Sequence, residues 1–578
     1  MPEITPRSAP ESAMQNLLDH GYALTLARIF AARGITDSKQ LDASFAGLLP
    51  FDSLKNAPEM ACLMADAIAA GKRFLVIADY DADGATACAV AVRGLRSFGA
   101  HIDFIVPNRF EYGYGLTPEI VQLASHQSPD ILLTVDNGIA SVEGVAEARR
   151  LGMQVFVTDH HLPGDTLPDA TCIVNPNQPG CTFPGKNLAG VGVMFYVLLA
   201  LRAELRSRGA FSTSPLPQAG EGLGVRGVKR EPNLATLLDL VALGTVADVV
   251  KLDQGNRILV QQGLQRIRAG RACAGISALL RAAGKNPEKV SSQDLGFTVG
   301  PRLNAAGRLD DMSLGIECLL ADDDAAAMRI AAKLDALNRE RRSIEADMQD
   351  SALAALERID PAASFSLALF DENWHQGVIG ILASRLKDRF HRPVIAFARS
   401  NGGELKGSGR SIAGLHLRDA LDLISKRHPA LIRKFGGHAA AAGLSIAEAD
   451  MEAFAAAFEQ VSGELLNAED LAQRIETDGA LEHAEMNLEV ARLLDEQVWG
   501  QGFPAPQFND DFTVHSQRVV GEKHLKLRLN ARGRIIDAIL FGHNEPLPEQ
   551  LHAVYSLCIN EYNGSESLQL VIRHWQEA

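Results

Sequence analysis

The sequence predicts an α/β protein that contains a parallel-sheet domain, a long connecting helix, a second α/β domain and a small C-terminal β-barrel. Three observations carry this prediction. Between residues 72 and 160, short apolar runs rich in β-formers alternate with helical stretches, a pattern typical of a parallel sheet covered on both faces. Residues 321–360 contain neither Gly nor Pro and show helical periodicity. The C-terminal part, beyond residue 463, has short alternating runs typical of barrel strands.

The composition is that of a folded, multidomain protein. The chain has 578 residues, of which 47% are hydrophobic and 22% charged. These values exclude a mainly disordered chain, a collagen-like repeat and a disulfide-stapled miniprotein. The seven cysteines are scattered and never spaced as C-x-x-C, which favours a reducing compartment and argues against a thiolate zinc site.

The charge balance argues against a generic nucleic-acid binder. Asp and Glu number 71 against 56 Lys and Arg, a formal net charge of −15, whereas sequence-independent DNA affinity comes from phosphate neutralisation. The N-terminus shows no secretory signal pattern. The longest uncharged stretch, around residues 188–201, is too short for a membrane span. We therefore expect a cytoplasmic protein without membrane contact.

Taken in order, the first elements are an N-terminal helical segment (1–49) and a domain over residues 50–320. Its predicted strands are 74–80, 102–107, 131–136 and 154–160, and its predicted helices include 85–98 and 142–151. Residues 206–232 are rich in Gly, Pro and Ser and lack a hydrophobic period, which indicates a flexible surface insertion.

The remaining elements follow the connecting segment. A helix of about 30 residues within 321–360 would extend about 45 Å and could link two globular units. The alternative is a packed helix pair with an unmarked turn. Residues 361–462 then form a second α/β domain, and residues 463–578 form a small barrel of the OB type.

Acidic and histidine side chains follow three of the predicted strands. They are Asp79, Asp81 and Asp83 after the first, Asp136 after a later one, and Asp159, His160 and His161 after the next. Sites in open parallel sheets form beyond the carboxyl ends of the strands, so these clusters should converge. Several carboxylates in one crevice repel one another unless divalent cations neutralise them. Aspartates with His and without Cys favour Mg²⁺ or Mn²⁺ over structural zinc. Two such ions would suit an in-line phosphoryl displacement.

These residues resemble the DHH phosphoesterase superfamily, whose name-giving motif stands here as Asp159-His160-His161. Five longer segments are similar to the RecJ family of single-strand-specific exonucleases within it. They are PNRFEYGYGL (107–116), VALGTVADVVKLDQGNR (241–257), GPRLNAAGRLDD (300–311), WHQGVIGILASRL (374–386) and KFGGHAAAAGLSI (434–446). The resemblance runs from about residue 50 to the C-terminus, interrupted clearly only by the insertion. It implies DHH, DHHA1 and OB-fold domains.

The resemblance also implies an activity and a set of ligands. Family members degrade single-stranded DNA from the 5′ end to mononucleotides with two Mn²⁺ or Mg²⁺ ions. The metal ligands carried over are Asp79, Asp81, Asp83, Asp136, His160 and Asp248. Direct metal binding by Asp79 stays open, and Asp239 is a rival to Asp248. The catalytic residues carried over are His161, beside the scissile phosphate, Asp136 and Asp81.

Substrate contacts are expected in three places. Arg109 and Tyr114 would clamp the 5′-terminal nucleotide by phosphate binding and stacking, and Arg302, Asn304 and Arg308 would hold backbone phosphates. In the DHHA1-like domain, glycine-rich loops at 406–411 and 435–443 would cradle phosphates, unless their small residues only mark tight packing. The residues expected to line that groove are Trp374, His375, Arg410, Ser411, Gly436, Gly437 and His438. In the barrel, Lys526 and Arg528 would share one strand face in a DNA groove, or else protect a solvated edge strand.

The resulting hypothesis is a monomeric 5′→3′ exonuclease of DNA repair and recombination that works on single strands, with a helicase and a single-strand-binding protein as partners. Two rivals stay open. Another DHH hydrolase acting on short oligonucleotides or cyclic dinucleotides would share every ligand, but would not require this long barrel-bearing chain. A non-catalytic replication scaffold would be free to lose the acidic ligands, which are complete here.

Overall fold

A five-stranded parallel sheet forms the centre of the first unit in the computed structural model, which describes residues 2–107, 115–211, 230–356, 363–562 and 564–578. Its strand order is β3-β2-β4-β5-β6. The strands are β2 (Arg73–Ala78), β3 (His101–Ile105), β4 (Ile131–Val135), β5 (Gln154–Thr158) and β6 (Cys172–Val174). The predicted parallel sheet is confirmed. Each of the four predicted strands extends one or two residues too far, and after β2, β4 and β5 those residues belong to the loops that carry the aspartates.

Alternate residues of these strands enter two different hydrophobic cores. Val76 and Leu133 belong to one core and Ile77 and Leu132 to the other, so that helices cover both faces of the sheet. The helices of this unit are α3 (Ala57–Ala69), α4 (Ala82–Phe98), α5 (Pro118–Ser125), α6 (Val142–Arg150), α7 (Gly190–Ser207), α8 (Leu238–Ala247), α9 (Gln254–Arg268), α10 (Ala274–Ala282), α11 (Gly300–Leu309) and α12 (Ser313–Leu320). Helix α4, which follows the first acidic loop, is buried along most of its length.

The N-terminal segment contains the predicted helices, α1 (Glu11–Asp19) and α2 (Leu24–Ala31), and one strand that was not predicted. Strand β1 (Glu3–Pro6) pairs in parallel with β12 (Arg474–Thr477), which lies just before the barrel. A four-residue strand ending in Pro carries no recognisable alternation, and its partner lies far away in sequence. The pairing ties the start of the chain to the barrel.

The connecting segment is one helix, α13 (Asp324–Leu356), of 33 residues. The long connecting helix is therefore confirmed over its described part, while residues 357–360 lie outside the described residues. Of the predicted insertion, residues 212–229 also lie outside them. Arg202 and Arg206 of α7 form ion pairs with Glu231, which lies on the other side of this segment in sequence.

The second unit has a mixed five-stranded sheet in the order β10-β11-β9-β8-β7. Its strands are β7 (Leu367–Phe370), β8 (Val394–Arg399), β9 (Glu404–Arg410), β10 (Lys434–Gly437) and β11 (Ala441–Ala447), and its helices are α14 (Ile379–Phe390), α15 (Leu417–Arg427) and α16 (Met451–Leu465). Residues 406–410 lie within β9, which pairs on both sides. This corrects the expectation of a phosphate-cradling loop there, because the ladder uses the backbone groups of that strand.

The C-terminal strands close into a barrel in the order β13-β14-β15-β17-β16, which confirms the predicted OB-type architecture. The strands are β13 (Phe508–Val520), β14 (His524–Ala531), β15 (Arg534–Phe541), β16 (Gln550–Tyr562) and β17 (Ser565–Glu577). Helix α17 (Leu488–Asp495) packs against β16 and β17. Among the described residues, no helix is long and apolar enough to cross a membrane.

Candidate metal centre and substrate cleft

The acidic loops converge because β2, β4 and β5 are neighbours in a parallel sheet. Their carboxyl ends share one edge, where the loops carry Asp79 to Asp83, Asp136 and Asp159 to His161. Three overlapping groups of ligand atoms result, each with all atoms within 4.8 Å of one another. They are Asp79–Asp81–Asp136, Asp83–His160–Asp248 and Asp136–His160–His161.

The loop after β2 orients its carboxylates through backbone donors. Asp81 is the N-cap of α4 and accepts a hydrogen bond from the Gly84 N–H at 3.0 Å. Asp83 is fully buried, and its two oxygens accept from the Gly190 and Val191 N–H groups at 2.6 and 2.9 Å. Burial and the neighbouring Asp248 and Asp81 charges raise the pKa of Asp83 well above its usual value. This carboxylate is thus held in place and lacks a neutralising partner.

Asp136 is held in an unusual backbone conformation with a φ of 62°. Residues other than Gly seldom adopt positive φ, and such strain concentrates at functional sites. Its side chain is 1% exposed, and a Cβ on Gly190 would lie 2.5 Å from Asp136 Oδ1, so glycine is required there. Burial and the charges of Asp83 and other nearby carboxylates raise the pKa of Asp136 well above its usual value.

His160 lies between two of these carboxylates. Its Nε2 is 3.1 Å from Asp136 Oδ1 and 3.5 Å from Asp248 Oδ2. All three atoms are buried and have no hydrogen-bond partner. Burial and the charge of His161 lower the pKa of His160 to about 4, so the imidazole is neutral at pH 7, as a metal ligand must be. Three orphaned atoms of ligand type fit a divalent cation.

The geometry distinguishes Asp248 from its rival Asp239. Asp248 lies at the end of α8, within one of the ligand groups, and burial together with the Asp81 charge raises its pKa to about 7. Asp239 lies at the opposite end of α8 and accepts a hydrogen bond from the Cys273 N–H at 2.6 Å. The structure therefore brings Asp248 to the centre and leaves Asp239 elsewhere. The nitrogen and oxygen donor set, without thiolate, fits Mg²⁺ or Mn²⁺.

Asp159 orients His161, a role the sequence analysis did not assign. His161 Nδ1 lies 2.8 Å from Asp159 Oδ1, and the same carboxylate accepts backbone N–H groups of Ile139 and His160. Burial opposes protonation of His161, but the Asp159 hydrogen bond and charge, together with the charges of Asp79 and Asp248, raise its pKa to about 9. Asp79 and Asp248 belong to the ligand groups, so the part of the rise that does not depend on them comes from Asp159.

Helix α11 brings its predicted residues to the edge of this centre in different ways. Asn304 Oδ1 accepts from the Ala82 N–H at 2.7 Å and so fixes the start of α4. Arg302 instead binds Asp335 of α13, with its Nε at 3.0 Å, and donates to the Thr298 carbonyl. The structure gives Arg302 a role in holding two helices together, because all three of its nitrogens have protein partners.

Arg308, Trp374 and His375 lie where the second unit approaches the first. Arg308 donates to the Gly377 carbonyl at 3.1 Å and so links the two units. Trp374 is 6% exposed and packs in a hydrophobic core with Met348 and Val378. This corrects the expectation that the indole lines the groove. His375 is partly exposed, and its Nδ1 accepts from the Gly377 N–H at 3.1 Å.

Arg410 of the second unit makes contacts with neutral groups only in the described part of the chain. It donates to Ser408 and the Gly409 carbonyl, and among the described residues no carboxylate lies within ion-pair distance of it. Burial lowers its pKa. The neighbouring Ser411 is buried and donates to the Leu415 carbonyl at 2.8 Å, which makes its hydroxyl a local turn contact.

The 435–443 segment contains two glycines of an edge strand and, directly after them, His438. Gly436 and Gly437 belong to the edge strand β10, so backbone groups on its outer side are not used by the sheet. Burial and the charge of His161 both lower the pKa of His438, which places His438 within electrostatic range of the metal centre. The segment is a strand and turn where a loop was expected, and it still borders the site.

The barrel presents the predicted basic face. Lys526 and Arg528 alternate with buried leucines on β14 and point outward together. Asp537 on the paired strand lies 3.7 Å from Lys526 and 3.9 Å from Arg528. Arg109 and Tyr114, the expected clamp for the terminal nucleotide, lie outside the described residues.

Comparisons with known proteins decide the family. Three family models match in order: the DHH family, N-terminal domain, over residues 73–245, the DHHA1 domain over 362–464 and the RecJ OB domain over 477–574. The single-stranded-DNA-specific exonuclease RecJ of Salmonella typhimurium is 49% identical over 559 residues, 95% of each chain. The chain belongs to the RecJ family of single-stranded-DNA-specific exonucleases.

Solved RecJ structures share the architecture. A crystal structure of RecJ in complex with Mn²⁺ from Thermus thermophilus matches with a TM-score of 0.80 at 30% identity, covering 100% of this chain and 79% of that one. A complex with Mg²⁺ from the same organism matches with a TM-score of 0.75 at 28% identity, covering 100% and 78% of the two chains. RecJ proteins thus bind the two cations that suit the ligand groups described above.

Proposed function

We propose that this protein is a 5′→3′ exonuclease of DNA repair and recombination that degrades single-stranded DNA to mononucleotides, using two Mn²⁺ or Mg²⁺ ions. The observation that carries the proposal is the cluster of three buried, partnerless ligand atoms on Asp136, His160 and Asp248. A buried polar atom without a partner is costly, and a bound cation removes that cost. RecJ relatives with the same architecture support the substrate.

The chain's own residues divide into ligands and a substrate contact. Asp81, Asp83, Asp136, His160 and Asp248 would hold the cations, and Asp79 is a candidate through its group with Asp81 and Asp136. Divalent cations in such a site stabilise phosphoryl oxygens and activate the attacking water.

His161 acts on the substrate from beside the ligands. Asp159 holds its ring in place and favours the protonated form, and a ring N–H of His161 would donate to a non-bridging oxygen of the scissile phosphate. Developing negative charge on that oxygen strengthens the hydrogen bond, so the contact is stronger in the transition state than with bound substrate.

Phosphate contacts along the strand would come from the second unit and the barrel. Arg410 has no acidic partner among the described residues, and His438, which follows the edge strand β10, is within electrostatic range of His161. Lys526 and Arg528 would contact the strand further along. A channel between the two α/β units would exclude duplex by shape, without reading bases. Cooperation with a helicase and a single-strand-binding protein stays a prediction implied by the family.

A substrate panel tests this function. Purified protein would be incubated in Mn²⁺ with 5′-labelled long single strands, duplexes and dinucleotides. We expect labelled mononucleotide from the long single strands from the first time point and little product from duplex. Consumption of dinucleotides alone would contradict the proposal and favour a hydrolase of short oligonucleotides.

A further inference from the structure

Two asparagines in the turn after β6 hydrogen-bond to the backbone of the two motif histidines. Asn175 Nδ2 donates to the His161 carbonyl at 2.9 Å, and Asn177 Nδ2 donates to the His160 carbonyl at 2.6 Å. The partners are 14 and 17 residues apart in sequence, so neither bond belongs to a local turn around the histidines. Each histidine therefore has a side-chain amide of its own on its carbonyl.

The turn holds these amides in fixed positions. Asn175 is 0% exposed, and its Oδ1 accepts a hydrogen bond from the Asn177 N–H at 2.7 Å, as in an Asx turn. The Gln178 N–H donates to the Asn175 carbonyl, and Lys186 Nζ donates to the carbonyl of Pro176, which lies between the two asparagines. Both polar atoms of the Asn175 side chain are thus engaged, and its amide N–H stays directed at His161.

Asn177 also joins the His160 loop to a second segment that contacts the ligands. Its Nδ2 lies 3.3 Å from the Lys186 carbonyl. Two residues further on, the Leu188 backbone hydrogen-bonds to the His160 side chain, and the Gly190 N–H donates to Asp83. Outer contacts of this kind keep a ligand in its binding orientation.

We propose that Asn175 and Asn177 are positioning residues with separate tasks. Asn177 would keep His160 in place as a metal ligand, and Asn175 would keep His161 in place against the scissile phosphate. The tasks are separate because each amide contacts the carbonyl of only one histidine. Asp159 already holds the His161 ring through Nδ1, so Asn175 adds the second point that fixes the orientation of this residue. The inference rests on the proposed function and deepens it.

The metal dependence of cleavage tests the task of Asn177. Asn177→Ala removes both of its amide contacts. We expect Mn²⁺ affinity, measured by calorimetric titration of the full chain, to fall on the order of tenfold. Since His161 keeps its own amide, kcat on a long single strand should return to the wild-type value at saturating Mn²⁺. Asn177→Ser gives the same comparison if Asn177→Ala does not fold.

The opposite pattern is expected for Asn175. In Asn175→Ser, the hydroxyl still offers an oxygen to the Asn177 N–H, while the amide donor to His161 is lost. We expect kcat to fall on the order of tenfold, with KM and Mn²⁺ affinity unchanged, because the affected contact is made to the transition state. A loss of Mn²⁺ affinity with normal kcat at saturating Mn²⁺ would contradict this task.

Gln178 supplies the matched control within the same turn. It is 4% exposed, and its Nε2 donates to the Ile173 carbonyl at 2.9 Å, a carbonyl that also accepts from Asn56. Gln178→Ala should change the urea unfolding midpoint without changing kcat or Mn²⁺ affinity. If the losses in all three variants simply follow their unfolding midpoints, the turn is only structural and the inference is overturned.

The same measurements separate this inference from the proposed function. The Mn²⁺ titration needs no substrate, and kcat can be measured on whichever phosphodiester the wild type cleaves. If only dinucleotides are consumed, the proposed function fails, while different losses in the two asparagine variants still support the positioning tasks. Normal cleavage of long single strands by both variants, with unchanged Mn²⁺ affinity, would overturn the positioning tasks alone.

Discussion

In the metal centre, the positions of single carboxylates depend on how closely a neighbouring backbone approaches them, as much as on the chemistry of the ligands. Asp136 adopts a φ of 62°, and Gly190 leaves the space that Asp136 Oδ1 occupies. The Gly190 N–H also donates to Asp83 at 2.6 Å. One glycine thus positions two carboxylates that come from different loops, because the absence of a Cβ lets its backbone reach both.

Gly190→Ala should therefore damage metal binding more than stability. The added Cβ would lie 2.5 Å from Asp136 Oδ1 and force the carboxylate to move. We expect Mn²⁺ affinity, measured by calorimetric titration, to fall on the order of 10- to 100-fold, as for other residues that orient ligands. Gly255→Ala is the control, since its Cβ would meet only Asp253 Oδ1 at 3.6 Å. Equal Mn²⁺ affinity in both variants would contradict this role.

Asp248 and Asp239 offer a second comparison, between two buried aspartates of one helix. Asp248→Asn removes a carboxylate from a ligand group and should reduce both Mn²⁺ affinity and cleavage rate by about 100-fold or more. Asp239→Asn should leave Mn²⁺ affinity unchanged, because Asp239 binds the Cys273 N–H instead. If Asp239→Asn lost Mn²⁺ affinity and Asp248→Asn kept it, Asp239 would be the ligand and Asp248 would not.

The convergence of the candidate ligands after β2, β4 and β5 was predictable because the ends of neighbouring parallel strands share one edge, whereas Asp248, at the end of α8, came only from the family resemblance. The residues that orient the ligands were not predictable. The backbone N–H groups of Gly190 and Val191 donate to the Asp83 carboxylate, although more than a hundred residues separate them in sequence. No local sequence pattern indicates this contact. Asp159 was visible within the motif, but its hydrogen bond to His161 depends on the turn that the loop makes after β5.

At the scale of elements, periodicity predicted the long parallel strands and the connecting helix, and it missed strands without a pattern. Strands β9 and β10 are rich in glycine, which has low strand propensity, so residues 406–411 and 435–443 resemble loops in sequence. Pairing with β8 and β11 makes them strands. Strand β1 depends in the same way on a partner more than 450 residues away.

The ion pairs that join the N-terminal segment to the residues just before the barrel give a prediction at this scale. Arg33 and Asp478 form a buried ion pair at 2.6 Å, with side-chain exposures of 2% and 1%. Arg33→Ala leaves the buried Asp478 with only Arg7 as a cationic partner, at 3.5 Å, and should destabilise the protein by about 3 kcal/mol. Arg474→Ala breaks the exposed Arg474–Glu3 pair and should cost less than about 1 kcal/mol. Urea unfolding monitored by tryptophan fluorescence measures the stability of both variants. Equal unfolding midpoints would refute the larger contribution of the Arg33–Asp478 pair.

For the whole molecule, the net charge is negative, whereas the side chains proposed to contact DNA are cationic. The chain carries a formal −15, while Arg410 lies in the second unit without a carboxylate within ion-pair distance among the described residues, and Lys526 and Arg528 share one face of the barrel. Formal charge counts the clustered aspartates as if no cation neutralised them. The overall count could therefore not predict the substrate, whereas the placement of the cations supports a narrow electrostatic path through an acidic exterior.

Salt dependence tests that arrangement. Each phosphate contact with a single strand contributes a slope of about −0.7 in log K against log salt, so three contacts from Arg410, Lys526 and Arg528 should give a slope of about −2. Duplex affinity should be weak throughout, because the exterior is acidic.

Asp537 lies within 4 Å of both Lys526 and Arg528 and competes with phosphate for them. Asp537→Asn should therefore raise single-strand affinity several-fold at low salt, and the gain should shrink as salt screens it. Anisotropy titrations in EDTA measure the effect. A slope near zero, or weaker binding by Asp537→Asn, would exclude the barrel face from the path of the strand.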